Sequence, residues 1–385
     1  MIVEQVIHMY SIAAKLEPHT PIWLPLYGGL MNGVNSNGIN RAAPVMMPVS
    51  AYDLPPEDWE TESMIPPATA VSSGSDSAMT PSMSESLDQR KRETIARCIE
   101  EAKRLNKKLL FGMTTSLVLQ SVPLPVDCDL DESLLHTVSS AKNKRIRVKN
   151  SPLCTHIWKH VARAGVVEIS RNVYALDLFH TWAQLSAHVS LRTLIVLGDA
   201  IITAMSRQPA LSQGRDAVTI YHDLIRFVEE LPHFKGRTMC VRALSLIMPG
   251  VDSPKESEER LSLLTHGIPQ PVVNYVVPDM TFRSGAPVTL DLAWPEFKVA
   301  IEYDGDHHRT NKTQWRRDQE KRSKLVARQW ITFVATAANL ADEAACAEFS
   351  FNVARALALR GAVFDFQVIA MSIEQLAETR LRRQG

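Results

Sequence analysis

The chain has 385 residues, enough for two or three domains. Its 42 Lys and Arg balance 42 Asp and Glu, which excludes a uniformly cationic nucleic-acid-binding surface but leaves room for a local basic patch. No apolar run approaches the roughly 20 residues that span a bilayer. Glu4, with no early Lys or Arg, does not read as a signal peptide, and Cys98, Cys128, Cys154, Cys240 and Cys346 form no Cys-x-x-Cys pair, which predicts reduced thiols in a cytoplasmic protein.

Residues 1–88 read as an N-terminal extension. An apolar helix over 2–16 is followed by Pro- and Gly-rich sequence, and the stretch 43–87 is rich in Pro, Ser, Met and Thr without a sustained apolar period, so linker or disorder is expected there. Its glycines lack the Gly-Lys-Ser/Thr of a phosphate-binding loop. A second region, 89–245, opens with a polar helix over 89–105 and an apolar stretch over 109–119. Short strands are predicted at 134–138, 145–148, 166–169 and 173–176, then helices at 190–205 and 221–231. Lys142, Lys144, Arg145, Arg147 and Lys149 lie among the strands, either as a solvated edge or as a DNA contact, with Arg145 and Arg147 the candidates for the latter.

The third region, 246–385, has the clearest grammar. Ser253 as N-cap, Pro254 at N1 and Glu256 at N3 start a helix that Gly267 stops. Strands follow at 272–277, 287–294 and 297–304, the last two joined by a tight Pro295-Glu296 turn. A charged helix over 313–328, a strand over 330–336, an Ala-rich helix ending near Gly361 and a helix opened by a Ser372/Gln375 capping box complete the chain. A mixed α/β (α+β) protein is expected.

Side chains alternate along strands. Val288, Leu290, Leu292 and Trp294 share one face of their strand, so Asp291 points away from it. On the next strand Val299, Ile301 and Tyr303 are the apolar set, while Lys298, Ala300, Glu302 and Asp304 face the other side. A hairpin through Pro295 brings Asp291 and Glu302 together at the end far from the turn. Converging carboxylate oxygens are what a hard divalent cation requires, and such an ion can activate water against a phosphodiester. Gly305 permits a sharp exit from the strand, after which His307 or His308 can fold back as a general acid or base.

Asp291, ten intervening residues, Glu302, Asp304-Gly-x-x-His308, then Trp315-Arg-Arg-Asp318 and Arg322 resemble the PD-(D/E)XK nuclease subfamily related to the very-short-patch repair endonucleases. The start Ser253-Pro-Lys-Glu256-Ser is similar to the helix that opens that domain. Residues 112–125, 145–148 and 176–200, with Val196-Leu-Gly-Asp199-Ala, resemble actinobacterial proteins that join an AbiEi-like antitoxin region to such a nuclease domain. The likeness covers roughly residues 105–340. It implies a restriction-endonuclease-like three-layer fold with a mixed sheet, preceded by a mixed α/β region. It also implies an endonuclease using Mg2+ (or Mn2+), with Asp291, Glu302 and Asp304 as metal ligands and His308 moving protons. DNA is the implied partner, and a toxin protein is a further one. The rival expectation is a catalytically silent DNA-binding regulator of antitoxin type.

Several residues have a plain reading beside the functional one. Glu256 serves either as a capping-box partner of the Ser253 amide or, as the resemblance implies, as a further site carboxylate. Many relatives have Lys two positions after the strand Glu, where this chain has Asp304. Lys298, four residues back, lies about 13 Å away along the strand. Asp318 and Arg322 form an i, i+4 pair that orders their helix. His156 and His160 are also four apart but lack the Glu of a His-Glu-x-x-His motif, so no metal is expected between them. Arg317, Lys321, Lys324 and Arg328 form a basic stripe predicted to face solvent and DNA phosphates, with Trp315, Gln319, Arg322 and Val326 packed on the sheet.

Overall fold

The computed structural model describes residues 83–149, 151–161, 165–304 and 312–384. The expectations for residues 1–82, and for Gly305, His307 and His308, lie outside the described residues. Those that are described fall within one compact unit, Thr80–Gly385.

The first helix, α1 (Met83–Leu105), starts ahead of the Gln89 expected from sequence, inside the stretch assigned to the linker. The apolar stretch after it divides. Leu109–Phe111 is strand β1 and Met113–Leu119 is helix α2. Then come β2 (Leu135–Ser139), β3 (Leu153–Ile157), β4 (Val166–Ser170) and β5 (Val173–Leu176). The strand predicted at 145–148 is absent. A short 3-10 turn over Lys142–Lys144 and irregular chain stand there, and β2 pairs with β1 on one side and β3 on the other. These strands form a mixed sheet in the order β3-β2-β1-β5-β4, in which β2 and β3 run parallel.

A helical layer follows: α3 (Leu178–Leu185), α4 (Leu191–Arg207), the single turn α5 (Pro209–Ser212), α6 (Ala217–Glu230) and α7 (Arg237–Leu244). Next is α8 (Pro254–Thr265), capped by Ser253 as predicted, with the Glu256 N–H donating to Ser253 Oγ. Gly267 ends it with φ +81°, and a Cβ there would meet the Asp365 carbonyl oxygen at 2.2 Å, so only glycine fits.

The second sheet has the order β6-β7-β8-β9, from β6 (Val272–Thr281), β7 (Pro287–Trp294), β8 (Val299–Tyr303) and β9 (Ile331–Ala335). The first two pairings are antiparallel and β8/β9 is parallel, the long connection between them carrying α9 (Lys312–Ala327). The turn after β7 is longer than expected. It runs through Lys298, which takes φ +50°, and β8 starts at Val299 rather than Phe297. Helices α10 (Glu343–Leu359) and α11 (Ile373–Gln384) close the chain, and the Ser372/Gln375 capping box forms as predicted.

Each face of the second sheet has its own core. Leu292, Trp294, Val299 and Ile301 pack with Phe349, Val353 and Leu357 of α10, and Ala293 and Ala300 pack with Leu325 of α9 and Trp330. Helices on both sides of residue 245 share a third core, which holds Leu194 and Ile201 of α4, Cys240 of α7, Leu261 of α8 and Leu376 of α11. A buried polar link crosses it. Asp199 of α4 accepts from Arg260 Nη2 at 2.9 Å, Ser257 Oγ at 2.7 Å and the Met248 N–H at 2.7 Å.

Candidate functional site

The turn that runs on to Lys298 pairs Trp294 with Val299, not with Phe297 as a tight Pro295-Glu296 turn would. Leu292 pairs with Ile301, and one position beyond stand Asp291 and Glu302 on the face towards α9. The ladder ends there because Asp291 Oδ2 takes the Tyr303 N–H, at 2.8 Å, in place of a main-chain acceptor. Glu302 lies between β7 and β9, opposite Val334. Its Oε2 accepts from Lys321 Nζ of α9, while its Oε1 is buried and has no hydrogen-bond partner among the described residues.

Glu256 reaches the same place from the first turn of α8. It fills both readings offered by the sequence. Its carboxylate accepts from Ser253 Oγ at 2.8 Å and from the Asp252 N–H at 3.1 Å, so the capped amide is that of Asp252 rather than Ser253. Burial, followed by the charge of Asp291, pushes Glu256 up to about 7. The same two causes in the same order push Glu302 up to about 7, against the opposing pull of Lys321. Burial also raises Asp291, opposed by the Tyr303 N–H and by Lys321. Three carboxylates thus crowd one another in a place that water solvates poorly, and one ammonium offsets them.

Asp252 belongs to this neighbourhood and was missed from sequence. Its charge raises both Asp291 and Glu256, and its Oδ1 pairs with Arg207 at 2.5 Å. The signal was its position just before the Ser253 cap, which puts a fourth carboxylate at the same helix start. Asp304 stands at the end of β8, its N–H donating to the Ala335 carbonyl at 2.8 Å. His308 lies outside the described residues.

An all-oxygen donor set with a buried, unpartnered Glu302 Oε1 fits a hard divalent cation such as Mg2+ or Mn2+. Asp291, Glu302 and Glu256 are set wider than a closed ligand shell. Among the described residues, the metal-ligating side chains whose atoms lie within 4.8 Å of one another are His136, Cys154 and His156.

The face of α9 is corrected. Arg322 is exposed and Val326 is 64% exposed, whereas Leu325 is 2% exposed and packs under the sheet with the basic stripe around it. Lys321 meets Glu302, Lys324 Nζ donates to the Thr281 carbonyl, Arg328 donates to the carbonyls of Pro278 and Asp279, and the Arg317 guanidinium stacks 4.3 Å over Phe282. Long aliphatic stems let these cations cover apolar surface while their heads find acceptors, which a count of apolar positions does not detect. Trp315's side chain lies outside the described residues.

Arg145 and Arg147 are exposed, as a nucleic-acid contact requires. They line a groove of about 610 Å3 together with Lys107, Lys108 and Lys144, and none of the described residues lining it is acidic.

Two uncharacterized proteins of Mycobacterium tuberculosis, from the strains CDC 1551 and H37Rv, are each 31% identical to this chain over 100 residues. That match covers 25% of this chain and 35% of each relative, so the chain spans about a third of the length of the relatives it matches. No family model and no solved structure matches. Among the described residues, no helix is long and apolar enough to cross a membrane.

Proposed function

We propose that the chain is a divalent-metal-dependent DNA endonuclease of the PD-(D/E)XK type, with a restriction-endonuclease-like fold built around the second sheet. The observation that carries this reading is the convergence of half-buried Asp291 and Glu302 with buried Glu256, one Glu302 oxygen having no partner among the described residues. The order helix, three antiparallel strands, helix, parallel strand supports it.

When bound between Asp291 and Glu302, Mg2+ would supply an activated water and neutralise charge building on the phosphodiester. The side chains divide the remaining work. Asp291 is oriented by the Tyr303 N–H. Glu302 is held at Oε2 by Lys321, which turns Oε1 towards the site. Glu256, fixed by Ser253 and the Asp252 N–H, has an affinity for protons near neutrality and so suits proton transfer at a carboxylate oxygen. Lys321 provides from α9 the ammonium that strand β8 lacks two positions after Glu302. His308 remains the proposed second proton carrier.

A second reading, a DNA-binding regulator of antitoxin type with a partner toxin, is favoured by one observation, the groove bordered by Lys107, Lys108, Lys144, Arg145 and Arg147. Plasmid nicking by the full chain, with and without Mg2+, separates the two. Nicking that needs Mg2+ and vanishes in Asp291→Asn supports the nuclease. Salt-sensitive DNA binding that Arg145→Ala with Arg147→Ala weakens, without cleavage under any metal, supports the regulator.

A further inference from the structure

A second candidate site lies on the first sheet, away from the carboxylates. Strands β2 and β3 run parallel with His136 opposite Cys154 and Val138 opposite His156. Side chains alternate, so His136, Cys154 and His156 project from one face of the strand pair. The opposite face is apolar, with Leu135 and Leu153 packed towards α1. His136 Nδ1 and His156 Nε2 stand 2.9 Å apart, and the ligand atoms of all three residues lie within 4.8 Å of one another. The i, i+4 pairing of His156 with His160 does not arise, because His156 is in a strand and His160 packs against Trp158 and Phe234.

The surroundings orient these atoms as a metal site requires. His136 Nε2 is 3.0 Å from the Asp131 carbonyl, which only accepts, so the proton sits on Nε2 and Nδ1 presents a lone pair to His156. The main chain of His136 is fixed as well, its N–H donating to Thr115 Oγ1 at 2.8 Å. His156 and Cys154 are half-buried, so an ion has an approach.

We propose that His136 Nδ1, His156 Nε2 and Cys154 Sγ bind a borderline transition-metal ion of the Zn2+ class and clasp the edge strand β3 to β2. Two imidazoles and a thiolate suit Zn2+ and not Mg2+. At Zn–N distances of about 2.0–2.1 Å, two nitrogens of a tetrahedral shell stand about 3.4 Å apart, so the observed pair needs to open by only a few tenths of an ångström. Binding releases one proton from Cys154 Sγ to solvent, and the His156 proton moves from Nε2 to Nδ1, so that ring stays neutral. His188, its Nδ1 2.7 Å from Asp129 Oδ1 and its ring centroid 6.3 Å from that of His156, stands outside the 4.8 Å group. Among the described residues no fourth ligand joins the group, which leaves that position open to solvent.

The test is Zn2+ titration of the metal-free full chain in excess Mg2+, which competes at all-oxygen sites but not for nitrogen and sulfur. The expected result is one Zn2+ bound, with a rise in thermal midpoint. Cys154→Ser and His156→Gln should each weaken binding by roughly 100-fold or more, since even outer-shell partners contribute about 10–100-fold. Co2+ used as the probe should give a thiolate-to-metal charge-transfer band that Cys154→Ser abolishes. The near-isosteric Cys154→Ser keeps the test decisive if His156→Gln does not fold. Failure of the parent chain to take up Zn2+, or parent-like affinity and an unchanged Co2+ spectrum in Cys154→Ser, overturns the proposal. In that event the His136–His156 contact is an internal hydrogen bond only.

Discussion

Helix α8 carries two buried polar clusters one turn apart, and they are finished differently. Ser257 and Arg260 point to Asp199, whose carboxylate receives three donors from protein groups. Glu256 stands near Asp291 and Glu302, where Glu302 Oε1 receives no donor from the described residues. Both clusters pay the desolvation cost of a buried charge. The first offsets part of it by giving Asp199 three donors, although burial still raises Asp199 and, among the described residues, Arg260 Nε and Nη1 have no partner. The difference separates a carboxylate buried to join helices from one buried with an acceptor left for something else. Perturbing each cluster should therefore affect different quantities.

The largest expected effect is on activity. Asp291→Asn or Glu302→Gln removes an anionic ligand at nearly constant volume. If the nuclease reading holds, Mg2+-dependent nicking should fall by three or more orders of magnitude, reflecting several kcal/mol of lost charge stabilisation. Thermal stability without metal should hold or rise, because each change removes a carboxylate that burial disfavours. Parent-like cleavage by both variants would reject the site assignment. His308→Ala should cost roughly 10²–10⁴-fold if His308 is the general acid or base.

The opposite pattern is expected at the finished cluster. Asp199→Ala leaves Arg260, 0% exposed, as an uncompensated buried cation. Breaking such a pair costs about 3–5 kcal/mol. Chemical denaturation should show that loss, with the specific activity of the remaining folded fraction unchanged. A loss below about 1 kcal/mol would mean that the link does not hold α4 to α8.

Glu259, on the same helix, sharpens the comparison. It is 2% exposed, has one buried oxygen without a partner, and burial alone pushes it up to about 8. The folded chain keeps a proton there that the unfolded chain releases near pH 4.5. Stability from this group is therefore full below about pH 4.5 and is lost as pH rises towards about 8. Glu256 and Glu302, both raised to about 7, add to the same decline. Glu259→Gln should flatten part of that slope and stabilise the chain by about 2–4 kcal/mol at pH 8 relative to the parent, measured by denaturation across pH 5–9. A slope identical to that of the parent would show that Glu259 does not carry the charge penalty.

What the sequence displayed follows the same division. The nearness of Asp291 and Glu302 was legible because strand alternation and a turn near Pro295 put both carboxylates on one face, whereas the register was not, since the turn runs on to Lys298. The α8 start was legible because Ser253, Pro254 and Glu256 act locally. The inward face of α9 was not legible. Lys321 and Arg317 pack by their stems, and no apolar period announces that. Strand β3 was hidden because Leu153–Ile157 is an edge strand with only half-buried residues, while the alternating 145–148 resembles a strand more closely. The meeting of His136, Cys154 and His156 depends on a parallel pairing, and nothing local in the sequence sets that register.

The smallest expected effect belongs to Lys321, and it tests how the two clusters are balanced. The Lys321 ammonium pulls Glu302 down against the burial that raises it, so removing the charge should let Glu302 rise further. Lys321→Met keeps the stem over the sheet and removes only the ammonium. The acid limb of Mg2+-dependent nicking should then move up by about one pH unit, equivalent to about 1.4 kcal/mol. Stability should change by less than about 1 kcal/mol, since both partners are part-exposed, with side chains at 18% and 24%, and Glu302 can take a proton in place of its partner. Lys321→Arg should restore the profile. A Lys321 that instead met DNA phosphate would leave the pH limb in place and reduce the salt slope of DNA binding by about one unit. The two outcomes are read from the same variant by different measurements. The internal contact with Glu302 favours the first, because an ammonium already engaged by a buried carboxylate releases few counterions on binding DNA.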